Sequence, residues 1–254
     1  MKKIAILAAI AALTLSTGAQ MASAQDKQLF NHASVGITAG LDGFGVEAAL
    51  PASRLLQIRG GYSLAPIPIN YNLNLTGVSS FVPINAKFLE GGLGKVMLDI
   101  FPVKESPFRI TAGAYLGSGK LAALKLDVRD LVKPQDFGKD IGQNGVSAST
   151  DKDGFGYIDI DAAKLMPYLG LGFGRAVDLE ARVSFLIEFG AAYTGGYDFM
   201  VYDYSNPSGV KTSKLVSAAL VNDDGSQMES GIVDKVSAIP VLPMLKLGLY
   251  LRLF

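Results

Sequence analysis

Between residues 179 and 193 every odd position is apolar or aromatic (Leu179, Ala181, Val183, Phe185, Ile187, Phe189, Ala191, Tyr193), whereas the charges Glu180, Arg182 and Glu188 all occupy even positions. Alternate side chains of a pleated strand point to opposite faces, so this stretch reads as a strand with one unbroken apolar face and one face of charged and small residues. The pattern recurs. Leu245, Leu247, Leu249, Leu251 and Leu253 oppose Lys246, Gly248, Tyr250 and Arg252; Leu56, Ile58, Gly60, Tyr62 and Leu64 oppose Gln57, Arg59, Gly61 and Ser63. In the same way Phe108, Ile110, Ala112, Ala114 and Leu116 oppose Arg109, Thr111, Gly113 and Tyr115, and Val96, Leu98 and Ile100 oppose Lys95, Met97 and Asp99.

Two architectures bury one apolar face per strand: a soluble sandwich, and a barrel whose apolar face meets lipid. Strand length separates them. Sandwich strands average about 5–6 residues, while a tilted membrane strand needs about 9–11, which these runs reach. The polar face mixes Gly, Ser and Thr with acids and bases, a composition that suits a narrow lumen, and no charge interrupts the apolar parity where Arg or Lys would cost about 2–4 kcal/mol at the bilayer midplane. Charged residues make up only 18% of the chain and glycine 29 of 254 residues, against norms of about 25% and about 7%. The predicted fold class is all-β: a closed antiparallel up-and-down transmembrane β-barrel.

The first residues form an export signal. Lys2 and Lys3 precede an apolar run from Ile4 to Leu15, and Ala22-Ser23-Ala24 supplies a small-residue cleavage site before Gln25. The expected organisation is a signal peptide over 1–24 and a barrel over 25–254. The mature chain then carries 21 basic and 23 acidic side chains, which lacks the basic excess that nucleic-acid binding requires. With no cysteine in the chain, disulfides, thiolate metal sites and cysteine nucleophiles are excluded.

Short connections at Pro51-Ala52-Ser53, Pro102–Pro107 and Gly174–Asp178 lie between convincing strands. In outer-membrane barrels the periplasmic turns are the short ones, so three of them imply eight strands, near 34–41, 43–50, 54–70, 84–101, 107–120, 157–173, 179–195 and 241–254. Long extracellular connections are expected near 71–83, 121–156 and 196–240. Alternation over Lys120–Val128 leaves room for ten or twelve strands. Parity flips between Ile160 and Leu169, which predicts a bulge or break near Pro167, and Met228, Ile232, Val233 and Val236 recur at helical spacing.

The segments Val35-Gly-Ile-Thr-Ala-Gly, Gly43-Phe-Gly-Val-Glu-Ala-Ala-Leu-Pro and Leu56-Gln-Ile-Arg-Gly-Gly-Tyr, with Phe108-Arg-Ile-Thr-Ala-Gly-Ala-Tyr, Pro167-Tyr-Leu-Gly-Leu-Gly-Phe-Gly and the closing Pro243–Phe254, resemble the strands of small bacterial outer-membrane barrels of the OmpA/OmpW-like group. The resemblance implies an outer-membrane location, outer-membrane lipid and lipopolysaccharide as surroundings, and a terminal aromatic, Phe254, read by the barrel-assembly machinery. It implies roles from anchoring and adhesion to small-solute passage.

No cofactor, metal site or enzymatic activity is expected. The only histidine, His32, lies before the first strand, where a hydroxyl nucleophile and base would be hard to assemble. Asp151-Lys-Asp-Gly-Phe-Gly-Tyr-Ile-Asp resembles a calcium loop, but its fifth position is Phe155 and its twelfth Ala162, so the bidentate carboxylate is missing. The candidate functional residues are the charges on the inward parity: Glu47, Arg59, Lys95, Asp99, Arg109, Glu180, Arg182, Glu188, Lys246 and Arg252. Eight strands leave an interior about filled by side chains, so these residues are expected to pair and close the lumen of a monomer with a structural or surface-interaction role. A wider barrel would make them the lining of a narrow pore.

Overall fold

The computed structural model describes residues 32–65, 68–74, 81–140, 147–214 and 239–253. The export signal, the 228–236 segment and Phe254 therefore lie outside the described residues. Eight strands close into an antiparallel barrel: β1 (Ser34–Gly40), β2 (Gly43–Ser53), β3 (Leu56–Leu64), β6 (Leu93–Ile100), β7 (Phe108–Gly117), β10 (Leu165–Phe173), β11 (Val183–Tyr193) and β14 (Val241–Arg252). The order around the wall is β1-β14-β11-β10-β7-β6-β3-β2. Closure leaves no edge, which is how a sheet satisfies its backbone in lipid.

Six further strands, β4 (Ile69–Asn74), β5 (Phe81–Phe88), β8 (Lys120–Asp127), β9 (Phe155–Asp161), β12 (Asp198–Asp203) and β13 (Lys211–Lys214), form a second, open sheet in the order β13-β12-β9-β8-β5-β4. Each follows or precedes the barrel strand beside it in the chain, at the end opposite the short turns. Parts of the connections expected as loops near 71–83, 121–156 and 196–240 are therefore strand, and the alternation over Lys120–Val128 belongs to this sheet and not to a wider barrel.

Several long runs read as single strands are divided at the barrel rim. Residues 84–101 break between β5 and β6, where Leu89 (φ 52°), Gly91 (84°) and Gly92 (72°) turn the chain through left-handed backbone. Residues 157–173 break at 162–164, three residues before the expected site at Pro167. Pro167 itself sits in β10 opposite Ala114 of β7, just before the β11 ladder starts at Tyr168↔Ala192, so its missing N–H breaks no rung on that side.

The outward parity is apolar around the barrel. Val35, Ile37, Val46, Ile58, Val96, Leu169, Phe185, Ile187, Phe189, Leu247, Leu249 and Leu251 are all exposed. An exposed apolar belt of this extent is far larger than soluble monomers present, and around a closed barrel it is the surface that lipid covers. Phe189 is 63% exposed and its neighbour Glu188 1%, which shows the two faces of one strand directly.

Candidate functional site: a charged layer inside the barrel

Inward parity brings together side chains that are far apart in sequence. At the centre is Arg59 on β3. Its Nε and Nη2 donate to Asp99 Oδ2 and Oδ1 at 2.6 and 2.9 Å, its Nη1 to Glu47 Oε2 at 2.8 Å and its Nη2 to Glu188 Oε2 at 2.5 Å. Arg109 donates to the same Glu188 oxygen at 2.6 Å, and Thr111 Oγ1 donates to Asp99 Oδ1 at 2.7 Å. Lys95 reaches Asp42 Oδ2 and Glu47 Oε1, both at 2.8 Å, and Lys246 lies 3.2 Å from Glu47 Oε1 and Glu188 Oε1. Four carboxylates (Asp42, Glu47, Asp99, Glu188) thus meet four cations (Arg59, Lys95, Arg109, Lys246), with side chains no more than 2% exposed. Planar guanidinium forks on carboxylates are the geometry in which buried pairing best offsets desolvation.

Glycine makes the room. A Cβ on Gly172 would lie 2.7 Å from Arg109 Nε, one on Gly36 2.5 Å from the Tyr250 ring and one on Gly61 2.6 Å from Glu47 Cγ. Gly172→Val is therefore expected to displace Arg109 and lower the unfolding midpoint, whereas Gly156→Ala, with nothing within 4 Å of the added carbon, is expected to leave it in place. Chemical unfolding read by the heat-dependent gel shift checks both, and an unchanged midpoint for Gly172→Val would refute the space argument.

Apolar side chains cap the layer at both ends. Toward the second sheet Leu93, Met97, Tyr115, Met166, Tyr168, Ala192 and Met244 form one cluster, with Tyr115 and Tyr168 edge to face at 5.4 Å. At the short-turn end Ala49, Ala176, Val177, Leu186 and Tyr250 form another. There the 174–182 turn tucks inward: Gln57 Nε2 donates to Val177 O at 2.6 Å and Val177 N donates to Gln57 Oε1 at 3.2 Å.

Seven of the ten charges placed inward by parity occupy this layer: Glu47, Arg59, Lys95, Asp99, Arg109, Glu188 and Lys246. Three do not. Glu180 and Arg182 are exposed, because the Asp178 carboxylate accepts the backbone N–H groups of Glu180 and Ala181 and holds a turn, so that β11 starts only at Val183. Arg252 is half-buried at the end of β14 and donates to Asp178 O at 2.7 Å. Charge parity alone missed Asp42, which lies in the β1–β2 turn, and the neutral partners Thr111 and Tyr250, the latter donating to Glu47 Oε2 at 2.5 Å. Large neutral side chains on the polar parity, such as Met97, Tyr115, Leu186 and Tyr250, were the available signal that this interior is shared by more than charges.

The second sheet holds the loop motif. Asp151 Oδ1 accepts the N–H groups of Asp153 and Phe155, and Oδ2 accepts the Tyr157 hydroxyl at 2.9 Å. The calcium-like segment is thus a turn leading into β9. Burial, then the hydrogen bond to Asp151, pushes the Tyr157 phenol up to about 12. Tyr157, Tyr202 and Tyr204 cluster with ring centroids 5.6–6.3 Å apart.

No family model and no curated protein sequence matches this chain. Solved structures do. The CarO2 structure of Acinetobacter baumannii aligns over 87% of this chain and 98% of its own, with a TM-score of 0.51 and 17% identity. The fold is that of a bacterial outer-membrane β-barrel. A. baumannii CarO aligns over 86% and 96% (TM-score 0.48, 18% identity), and a major outer membrane protein from Thermus thermophilus over 87% and 99% (0.37, 16%). With the apolar belt described above, the chain is a small outer-membrane barrel, crossing the bilayer on strands; among the described residues no helix is long and apolar enough to do so.

Proposed function

We propose that the protein is a monomeric, non-enzymatic barrel of the outer membrane with a structural or surface-interaction role, and that its charged layer closes the lumen. The observation carrying this reading is Arg59: one guanidinium binds carboxylates from β2, β6 and β11, spanning an eight-stranded barrel from wall to wall. Tightly paired charges between two apolar clusters leave little space for a hydrated ion. The short turns face the periplasm in this reading and the second sheet faces outward, with lipid and lipopolysaccharide around the belt and Phe254 as the mark for the assembly machinery.

Refolded residues 25–254 in a planar bilayer provide the test, with the heat-dependent gel shift certifying the folded barrel. Folded protein without conductance is the expected result. Stable ohmic steps would overturn the closed lumen, and their alteration by Arg59→Gln or Glu188→Gln would route the path through this layer.

A further inference from the structure

The second sheet is amphipathic in a way the closed-lumen reading does not use. Cross-strand register puts Tyr71 with Ile84, Ile84 with Leu126, Leu124 with Ile158, and Ile158 with Val201 on one face. The opposite face carries a polar row across all six strands. Asn70 lies opposite Asn85, Asn85 opposite Lys125, Lys125 opposite Tyr157, and Tyr202 opposite Thr212. The Tyr157 and Tyr202 rings close the row between β9 and β12 at 6.3 Å. Five inter-strand spacings of about 4.8 Å make it about 24 Å long.

We propose that this face binds an extended oligosaccharide. A pyranose ring has an apolar face of C–H bonds and an edge of hydroxyls, so its recognition needs aromatic rings flanked by hydrogen-bonding groups at fixed positions. Here Tyr202 and Tyr204 stand two residues apart with rings within 25° of parallel, and Tyr157 packs against both. Carboxylates anchor the phenols: Tyr202 donates to Asp159 at 2.6 Å and Tyr157 to Asp151 at 2.9 Å. Tyr204 is held through its N–H, which donates to Ser149 Oγ at 2.5 Å. The two rings whose phenols are anchored, Tyr157 and Tyr202, lose little freedom on binding. Amides continue the row, with Asn85 Nδ2 donating to Asn70 Oδ1 at 2.6 Å. Asp159 is also paired with Lys120 at 2.7 Å and Lys125 lies within the row, so the face carries charges of both signs without the basic excess that a polyanion requires, which favours a neutral chain over nucleic acid or a phosphate-rich polymer. The proposal rests on the reading that this end of the barrel faces outward, and binding is measured independently of conductance.

Saturation-transfer NMR and titration on the folded full barrel would use two neutral probes: dephosphorylated, carboxyl-reduced core oligosaccharide released from lipopolysaccharide, and maltohexaose. Binding of either probe, weakened about tenfold by Tyr202→Ala/Tyr204→Ala, supports the surface. Tyr71→Ala, on the opposite face, is expected to change nothing. Selectivity for the core oligosaccharide would assign the ligand to the cell's own envelope, and binding of the glucan would assign it to foreign polymers. Absence of saturation transfer from both probes, or affinity indifferent to the double substitution while the heat-dependent shift persists, would overturn the proposal.

Discussion

An Arg59→Met variant is expected to lose about 3–5 kcal/mol of barrel stability. The guanidinium serves Asp99, Glu47 and Glu188 at once, so its removal leaves carboxylates buried with too few cations, and breaking a buried pair from one side costs much more than the pair contributes. Equilibrium unfolding in urea from lipid vesicles, followed by the heat-dependent gel shift, would read the loss as a lower midpoint. Adding Asp99→Asn to Arg59→Met should restore part of it, because one orphaned charge goes with its partner; a coupling of about 0.5–3 kcal/mol is the usual range for contacting residues. If the single variant unfolds at the wild-type midpoint, the layer is not the electrostatic unit described above.

Phe189→Arg is expected to cost about 2–4 kcal/mol when the barrel folds into a bilayer. Phe189 lies near the middle of β11 on the exposed apolar parity, so the new charge would meet the hydrocarbon. The same change at Val183, exposed at the short-turn end of β11, should cost only about 0–1 kcal/mol, since the penalty falls toward the interfaces. Equal costs at the two positions would mean that the belt is not centred on the bilayer.

Much of this structure was legible in period two. The parity of Leu179–Tyr193 separated Phe189 from Glu188 without any coordinates, and the same rule brought Glu47, Arg59, Lys95, Asp99, Arg109 and Lys246 to one interior. The rule failed where the chain is not strand. Glu180 and Arg182 continue the alternation in letters, but the Asp178 turn holds Glu180 outside the ladder, and Arg182 meets β14 only through its carbonyl, which accepts the Arg252 N–H. Parity also carries no information about where a strand bends. Residues 84–88 and 93–100 alternate on either side of Gly91-Gly92, a turn signal visible in the sequence, whereas Leu89, a non-glycine residue in left-handed backbone, opens the break between β5 and β6 with no warning of its own.

The eight-strand closure and the open sheet above it depend on pairing between distant segments. Alternation over Lys120–Val128 satisfied a ninth barrel strand as well as an outer one, and the choice was made by β8 pairing with β5 and β9. The tyrosine row likewise exists only because β9 and β12 meet at Asp159↔Met200. By itself the sequence determined that the chain forms long strands with an apolar face for lipid and a charged face away from it, because side-chain direction in a strand is a local property of the backbone. Which charges meet, how many strands close the wall and which rings share a face were decided only by the tertiary structure, because register is set by contacts between residues that the chain keeps far apart.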